Sequence, residues 1–158
     1  MSFVGIITNK SNRIDLEYIL KSKKIPETNI IILRPENIEN IKNVKFDILI
    51  INYGIKFYDK IKDIIKNAKI ILINIDIKFD RKIFENIETY VITYGFNNRA
   101  TVMITSSEQD EVILDIQRYI KSVNNKYIEN KVIKIFPQYS KKYIYEEVVG
   151  EILKILYG

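Results

Sequence analysis

Val91-Ile92-Thr93-Tyr94-Gly95-Phe96-Asn97-Asn98-Arg99-Ala100-Thr101-Val102 is the stretch on which the reading of the fold turns. It opens with β-branched and aromatic residues, the side chains that suit a strand. A glycine then permits a turn with a polar tip, and a second apolar run follows. The link is too short for a helical crossover, so residues 90–94 and 100–105 are expected to pair antiparallel. Upstream, Ile71-Leu72-Ile73-Asn74-Ile75-Asp76 is a second strand that ends in polar residues.

Working outward, residues 3–8, 30–33, 47–52 and 70–75 are continuous apolar runs of the kind buried on both faces of a parallel sheet. Helical patterns lie between them. Asn12 is placed to cap a helix carrying Leu16, Ile19 and Leu20. Pro35 suits the first turn of a short helix bearing Ile38 and Ile41. Phe57, Ile61, Ile64, Ile65 and Ala68 form one helical stripe. After Tyr90 the texture changes. Residues 112–120 read either as a strand alternating Val112, Leu114 and Ile116 or as a helix capped by Ser107 and Asp110. Residues 131–136 read as a strand and 141–157 as an amphipathic helix. The alternation predicts an α/β fold: a three-layer, mainly parallel sheet with a C-terminal antiparallel appendage, closed by helix 141–157. One domain is expected across residues 1–158. A flavodoxin-like five-stranded sheet without the appendage is the alternative.

Composition narrows the chemistry. With 47% hydrophobic and 28% charged residues, the 158-residue chain reads as globular. The net charge of +5 comes from cations scattered among acids, so it is assigned to solvated surface and nucleic acid is not expected as a partner. The sequence contains no cysteine, which excludes disulfides and thiolate metal sites. It contains no histidine, which removes the usual general base and the triad hydrolases. No leader pattern is present, and no apolar run approaches the ~18–20 residues that cross a bilayer. A cytoplasmic protein without membrane insertion is expected.

Residues 70–105 resemble the end of the ATP-binding central domain of Mur ligases, enzymes that add amino acids to peptidoglycan precursors. Asn74 and Asp76 look like a reduced form of the family's asparagine–aspartate motif, with Lys78 where a further acid would stand. Tyr94-Gly95-Phe96 is similar to the tyrosine–glycine end of the family's next strand. Helix 141–157 is similar to the one that follows the family's glycine-histidine-asparagine turn. Gln138-Tyr139-Ser140-Lys141 occupies that place here, and Gly150 stands for a small alanine. The family's glycine-rich phosphate loop has no counterpart, since Asn9-Lys10-Ser11-Asn12-Arg13-Ile14 contains no glycine to wrap a phosphate. Neither the family's metal-binding acid nor its carbamylated lysine can be placed, and Glu36 and Asp59 are assigned to solvent. The resemblance implies a degenerate Mur ligase central domain, with no ATP hydrolysis, ligase activity, cofactor or metal. It requires residues 90–94 and 100–105 to be adjacent antiparallel strands.

The candidate site residues are Asn74, Asp76, Tyr94, Gly95, Asn97, Asn98, Arg99 and Tyr143. Asn97, Asn98 and Arg99 offer donors beyond a strand end, where open α/β sheets bind ligands, and Arg99 suits a carboxylate or phosphate. Turn chemistry explains the same residues. Asn74 and Asp76 read as part of a relic nucleotide pocket beside Gly95, or Asp76 as the cap of a helix near Asp80. Tyr139, Tyr143 and Tyr145, with Lys134, Lys141 and Lys142, suggest an amphipathic contact face. The expected function is a non-catalytic binding or scaffolding protein with a protein partner or a second copy of itself. If the ancestry holds, bacterial cell-envelope or peptidoglycan processes are the place to look. The alternatives are a repurposed nucleotide-binding enzyme using Lys10, Ser11, Asn74 and Asp76, or a flavodoxin- or receiver-like regulatory domain.

Overall fold

Ile48, Leu49, Ile50 and Ile51 are all buried, yet Ile48 and Ile50 join one hydrophobic cluster and Leu49 and Ile51 another. A strand behaves this way only when both faces of its sheet are covered. A computed structural model describes residues 2–7, 13–23, 25, 28–52, 58–79, 81–106, 111–139 and 141–158. In it the expected runs become strands β1 (Ser2–Ile7), β2 (Thr28–Ile32), β3 (Ile48–Ile51), β4 (Ile70–Asn74) and β5 (Tyr90–Gly95). They pair parallel in the order β2-β1-β3-β4-β5.

Helices α1 (Arg13–Ser22), α2 (Ile38–Ile41), α3 (Tyr58–Asn67) and α4 (Ile144–Tyr157) supply the cover. On one face Leu16 and Leu20 of α1 meet Val148, Val149, Ile152, Leu153 and Leu156 of α4. On the other, Ile38 of α2, Ile61, Ile64 and Ile65 of α3, and Ile83 of a short 3-10 turn (Arg81–Phe84) form the second cluster. The expected three layers and the closing helix are present. Pro35 lies in the turn before α2, not in its first helical turn. Asn12, Phe57 and the Ser107–Asp110 capping pair lie outside the described residues.

The sheet continues beyond β5 through β6 (Val102–Ser106), β7 (Val112–Ile116) and the edge strand β10 (Lys131–Ile135), for eight strands in all among the described residues. β8 (Ile120–Lys121) and β9 (Tyr127–Ile128) form a separate antiparallel pair. The β6-β7 and β7-β10 pairs are antiparallel, which is the expected appendage. Val112, Leu114 and Ile116 are buried alternately with half-buried neighbours, so 112–116 is a strand. The extra strands displace the five-stranded alternative.

One expectation is overturned. β5 and β6 are adjacent but parallel. Only Tyr94↔Val102 and Gly95↔Met103 are paired, because β6 starts level with the end of β5 and runs on past it. A parallel link usually needs a long crossover because the chain must travel back down a whole strand. With so large a stagger it has only to step sideways, and a short loop suffices.

A buried ion pair ties α4 to the end of α1. Lys23 Nζ lies 2.6 Å from Glu147 and 3.2 Å from Glu151. The second oxygen of Glu147 accepts the backbone N–H groups of Gln138 and Tyr139 at 3.0 and 3.1 Å. A Cβ on Gly150 would stand 3.0 Å from Lys23 Cγ. The missing side chain at Gly150 therefore makes room for the lysine stem. Among the described residues no helix is long and apolar enough to cross a membrane.

Candidate functional site

Parallel pairing of β4 with β5 sets Asn74 beside Tyr94, so both strands end at the same edge of the sheet. Asn74 is fully buried. Its amide donates to the Asn52 carbonyl at 3.3 Å, and its side-chain oxygen accepts the Asp76 N–H at 2.9 Å. The Tyr94 hydroxyl donates to the Asn52 side-chain oxygen. The ends of β3, β4 and β5 are thereby stitched into one network. Among the described residues, Asn52 Nδ2 is buried within it without a hydrogen-bond partner.

Asp76 continues the network onto the turn that follows β5. Oδ2 accepts the Phe96 N–H at 2.7 Å and the Tyr145 hydroxyl at 2.8 Å, and Oδ1 accepts the Asn97 N–H at 3.1 Å. Gly95 sits at φ +153°, where L side chains are strained, and a Cβ there would lie 2.7 Å from Asp76 Oδ1. The glycine is required twice over, by its backbone angle and by the carboxylate pressed against it. Asp76 therefore clamps a turn twenty residues further along the chain. Its proposed role as a helix cap is replaced, and Asp80 lies outside the described residues.

The rest of the turn closes on itself. Asn97 Oδ1 accepts the Arg99 N–H at 2.9 Å, an Asx turn, and the Ala100 N–H donates to the Asn97 carbonyl at 3.0 Å. Gln117 Nε2 donates to the carbonyls of Asn98 and Ala100 at 3.0 and 2.7 Å, and the Arg118 guanidinium donates to that of Arg99 at 3.2 Å. The turn's backbone acceptors are thus occupied from within, while Asn98, Arg99 and Arg118 stay exposed. Among the described residues neither Arg99 nor Arg118 has a carboxylate partner.

Seven of the eight candidate residues meet here; Tyr143 does not. Its ring lies 4.9 Å from Lys142 Nζ instead. Tyr145 takes the place in the site, stacking edge-to-face on Tyr94 and Phe96 with centroids 6.5 and 5.9 Å away. Burial and the Asp76 carboxylate push its hydroxyl well above the ordinary tyrosine range, so it remains a donor and is no base near neutrality. The suggested tyrosine–lysine face is divided. Tyr139 lies against Tyr18 and hydrogen-bonds Ser22 at 3.2 Å, and Lys134 pairs with Glu111 at 3.4 Å. Lys10 and Ser11 lie outside the described residues.

Sequence reading missed Asn52, Gln117, Arg118 and the role of Tyr145. No spacing signals them, because each reaches the strand ends or the turn from a distant element. Chemically, the site offers a rigid donor surface over a committed acceptor: Asp76 is spent on three donors. No known protein-family model and no curated protein matches this chain.

Proposed function

We propose that the protein is a non-catalytic binding module whose β5–β6 turn recognises an acidic group on a protein partner. The observation that carries this reading is the Asp76 clamp. Two backbone hydrogen bonds and the Gly95 approach fix the turn, which presents Arg99 beside Arg118, neither of them ion-paired among the described residues. Arginines carried on a fixed turn recognise a carboxylate at lower ordering cost than those on a flexible loop do. Partner capture from the source cell with the wild type, Arg99→Ala and Arg118→Ala tests it. Both variants should lose the partner and Tyr143→Ala should keep it; an unchanged partner set in the two arginine variants contradicts the reading.

Descent from a Mur ligase central domain, with a role near peptidoglycan or the cell envelope, is not carried further: the likeness required residues 90–94 and 100–105 to pair antiparallel, and β5 and β6 are parallel. The binding reading does not depend on it. Asn74 and Asp76 are already engaged with Asn52 and the turn, which argues against the repurposed nucleotide enzyme. Micromolar ATP–magnesium binding abolished by Lys10→Ala would restore that alternative.

A further inference from the structure

Three aromatic rings lead from the core to the turn that carries the arginines. Tyr94 is fully buried, Tyr145 packs edge-to-face on it with centroids 6.5 Å apart, and Phe96 packs edge-to-face on Tyr145 at 5.9 Å. The Phe96 ring is the outer end of this series and is 45% exposed. A single exposed apolar side chain is ordinary on a protein surface. Phe96 differs because it is held twice: its ring rests on Tyr145, and its backbone N–H donates to Asp76 at 2.7 Å. A ring already fixed in place gives up little conformational freedom when a partner covers it. Arg99 lies three residues further along the same clamped turn, and Arg118 joins it there through its bond to the Arg99 carbonyl. Three residues of chain span at most about 10–11 Å, and the Ala100 N–H bond to the Asn97 carbonyl shortens the path further. The apolar and cationic groups therefore fall within reach of one short segment.

We infer that the acidic group recognised at this turn is carried on a peptide segment with a bulky apolar side chain within about three residues of it. The apolar side chain covers Phe96, while Arg99 and Arg118 take the carboxylate. The inference rests on the reading of the turn proposed above and adds the second half of the recognised motif. Charge sets the acidic half. Asp76 is engaged by the Phe96 and Asn97 N–H groups and the Tyr145 hydroxyl, and Asp115 stands on β7. Among the described residues neither acid forms an ion pair with Arg99 or Arg118. Exposure sets the apolar half. Covering the open part of the Phe96 ring is favourable in proportion to the area removed from water. Aromatic and arginine side chains are also those on which interface energy concentrates. A wholly polar acidic segment would leave Phe96 wet, and a basic neighbour to the acid would be repelled by the arginines.

The probes are two fluorescein-labelled, amidated heptapeptides, glutamate throughout except for a central leucine in one and a central serine in the other, titrated by fluorescence anisotropy. They carry the same charge, so their difference reads the apolar contact alone. The leucine peptide should bind the wild type at least about fivefold more tightly, well short of the full worth of a buried leucine. Phe96→Ser should remove that preference and leave the serine peptide's affinity as it was, whereas Phe96→Leu should keep most of it. Unchanged far-ultraviolet circular dichroism in both variants checks that the fold is intact. Arg99→Ala with Arg118→Ala should weaken both peptides. Equal affinity of the two peptides for the wild type, with both weakened in the arginine variant, would overturn this inference and leave the reading of the turn standing. A leucine preference that survives Phe96→Ser would overturn it too, since the apolar contact would then lie elsewhere. Binding of neither peptide at millimolar concentration, or binding indifferent to the arginines, would overturn the reading of the turn and this inference with it.

Discussion

Replacing Gly95 with alanine tests the clamp at its tightest point. An alanine Cβ would stand 2.7 Å from Asp76 Oδ1 and 2.8 Å from its Cγ and Oδ2, well inside contact distance. The carboxylate cannot withdraw without stretching its bonds to Phe96 N, Asn97 N and the Tyr145 hydroxyl. The backbone angle alone should cost about 1–3 kcal/mol for a residue with a Cβ. Weakened hydrogen bonds to the charge add about 1 kcal/mol, discounted because Asp76 is exposed and water can replace part of the loss. Gly95→Ala should therefore destabilise by about 2–4 kcal/mol, lowering Tm by roughly 2–4 °C per kcal/mol in a domain of this size. Urea unfolding with an unchanged m-value measures it. In an Asp76→Ala background the clash is gone, and the same glycine substitution should cost about 1 kcal/mol less. Strict additivity of the two changes would refute the contact between them.

Two further outcomes follow from the interior. Glu147→Ala leaves buried Lys23 with Glu151 as its one carboxylate and strips the acceptor from Gln138 and Tyr139, so it should cost about 3 kcal/mol in urea unfolding, the low end of the range for a broken buried pair. Glu147→Gln keeps that acceptor and should cost measurably less; equal costs would mean that the two backbone bonds contribute nothing. Burial pushes the Asp47 carboxyl up, but the Ser2 hydroxyl at 2.6 Å and Lys69 at 3.1 Å outweigh it and hold the group below its ordinary 3.8. The stability supplied by ionised Asp47 is then complete above the unfolded value and is lost as pH falls through the folded one. The stability difference between wild type and Asp47→Asn should be flat above pH ~5 and shrink below ~3.8; a difference that grows with acidity would reverse the assignment.

The strands were legible because continuous runs such as Ile48-Leu49-Ile50-Ile51 have few other ways to be buried. The layers followed from helical stripes at three- and four-residue spacing. The pairing of β5 with β6 was not legible. Loop length speaks to it only when strands overlap along their length, and stagger leaves no mark on hydrophobic pattern. The site was half legible. Gly95 and the asparagines announce a turn, but that Asp76 holds it depends on β4 lying beside β5, a long-range fact. Tyr143 and Tyr145 look alike in sequence, and only the start of α4 at Ile144 decides which ring reaches Phe96. Gly150 read as a helix-packing residue because nothing local reveals the lysine stem that crosses it.

The central claim is that a clamped turn presents Arg99 and Arg118 to a carboxylate. Calorimetric titration with a hexaglutamate peptide at low and physiological salt measures this directly, with Arg34→Ala plus Lys45→Ala as an exposed control of equal charge change. Wild type and the control should bind alike. Losing Arg99 and Arg118 together should weaken binding by at least about tenfold, the equivalent of roughly 1.4 kcal/mol, and Gly95→Ala should produce part of that loss with both arginines still in place. Equal binding by the wild type and the double arginine variant would contradict the account.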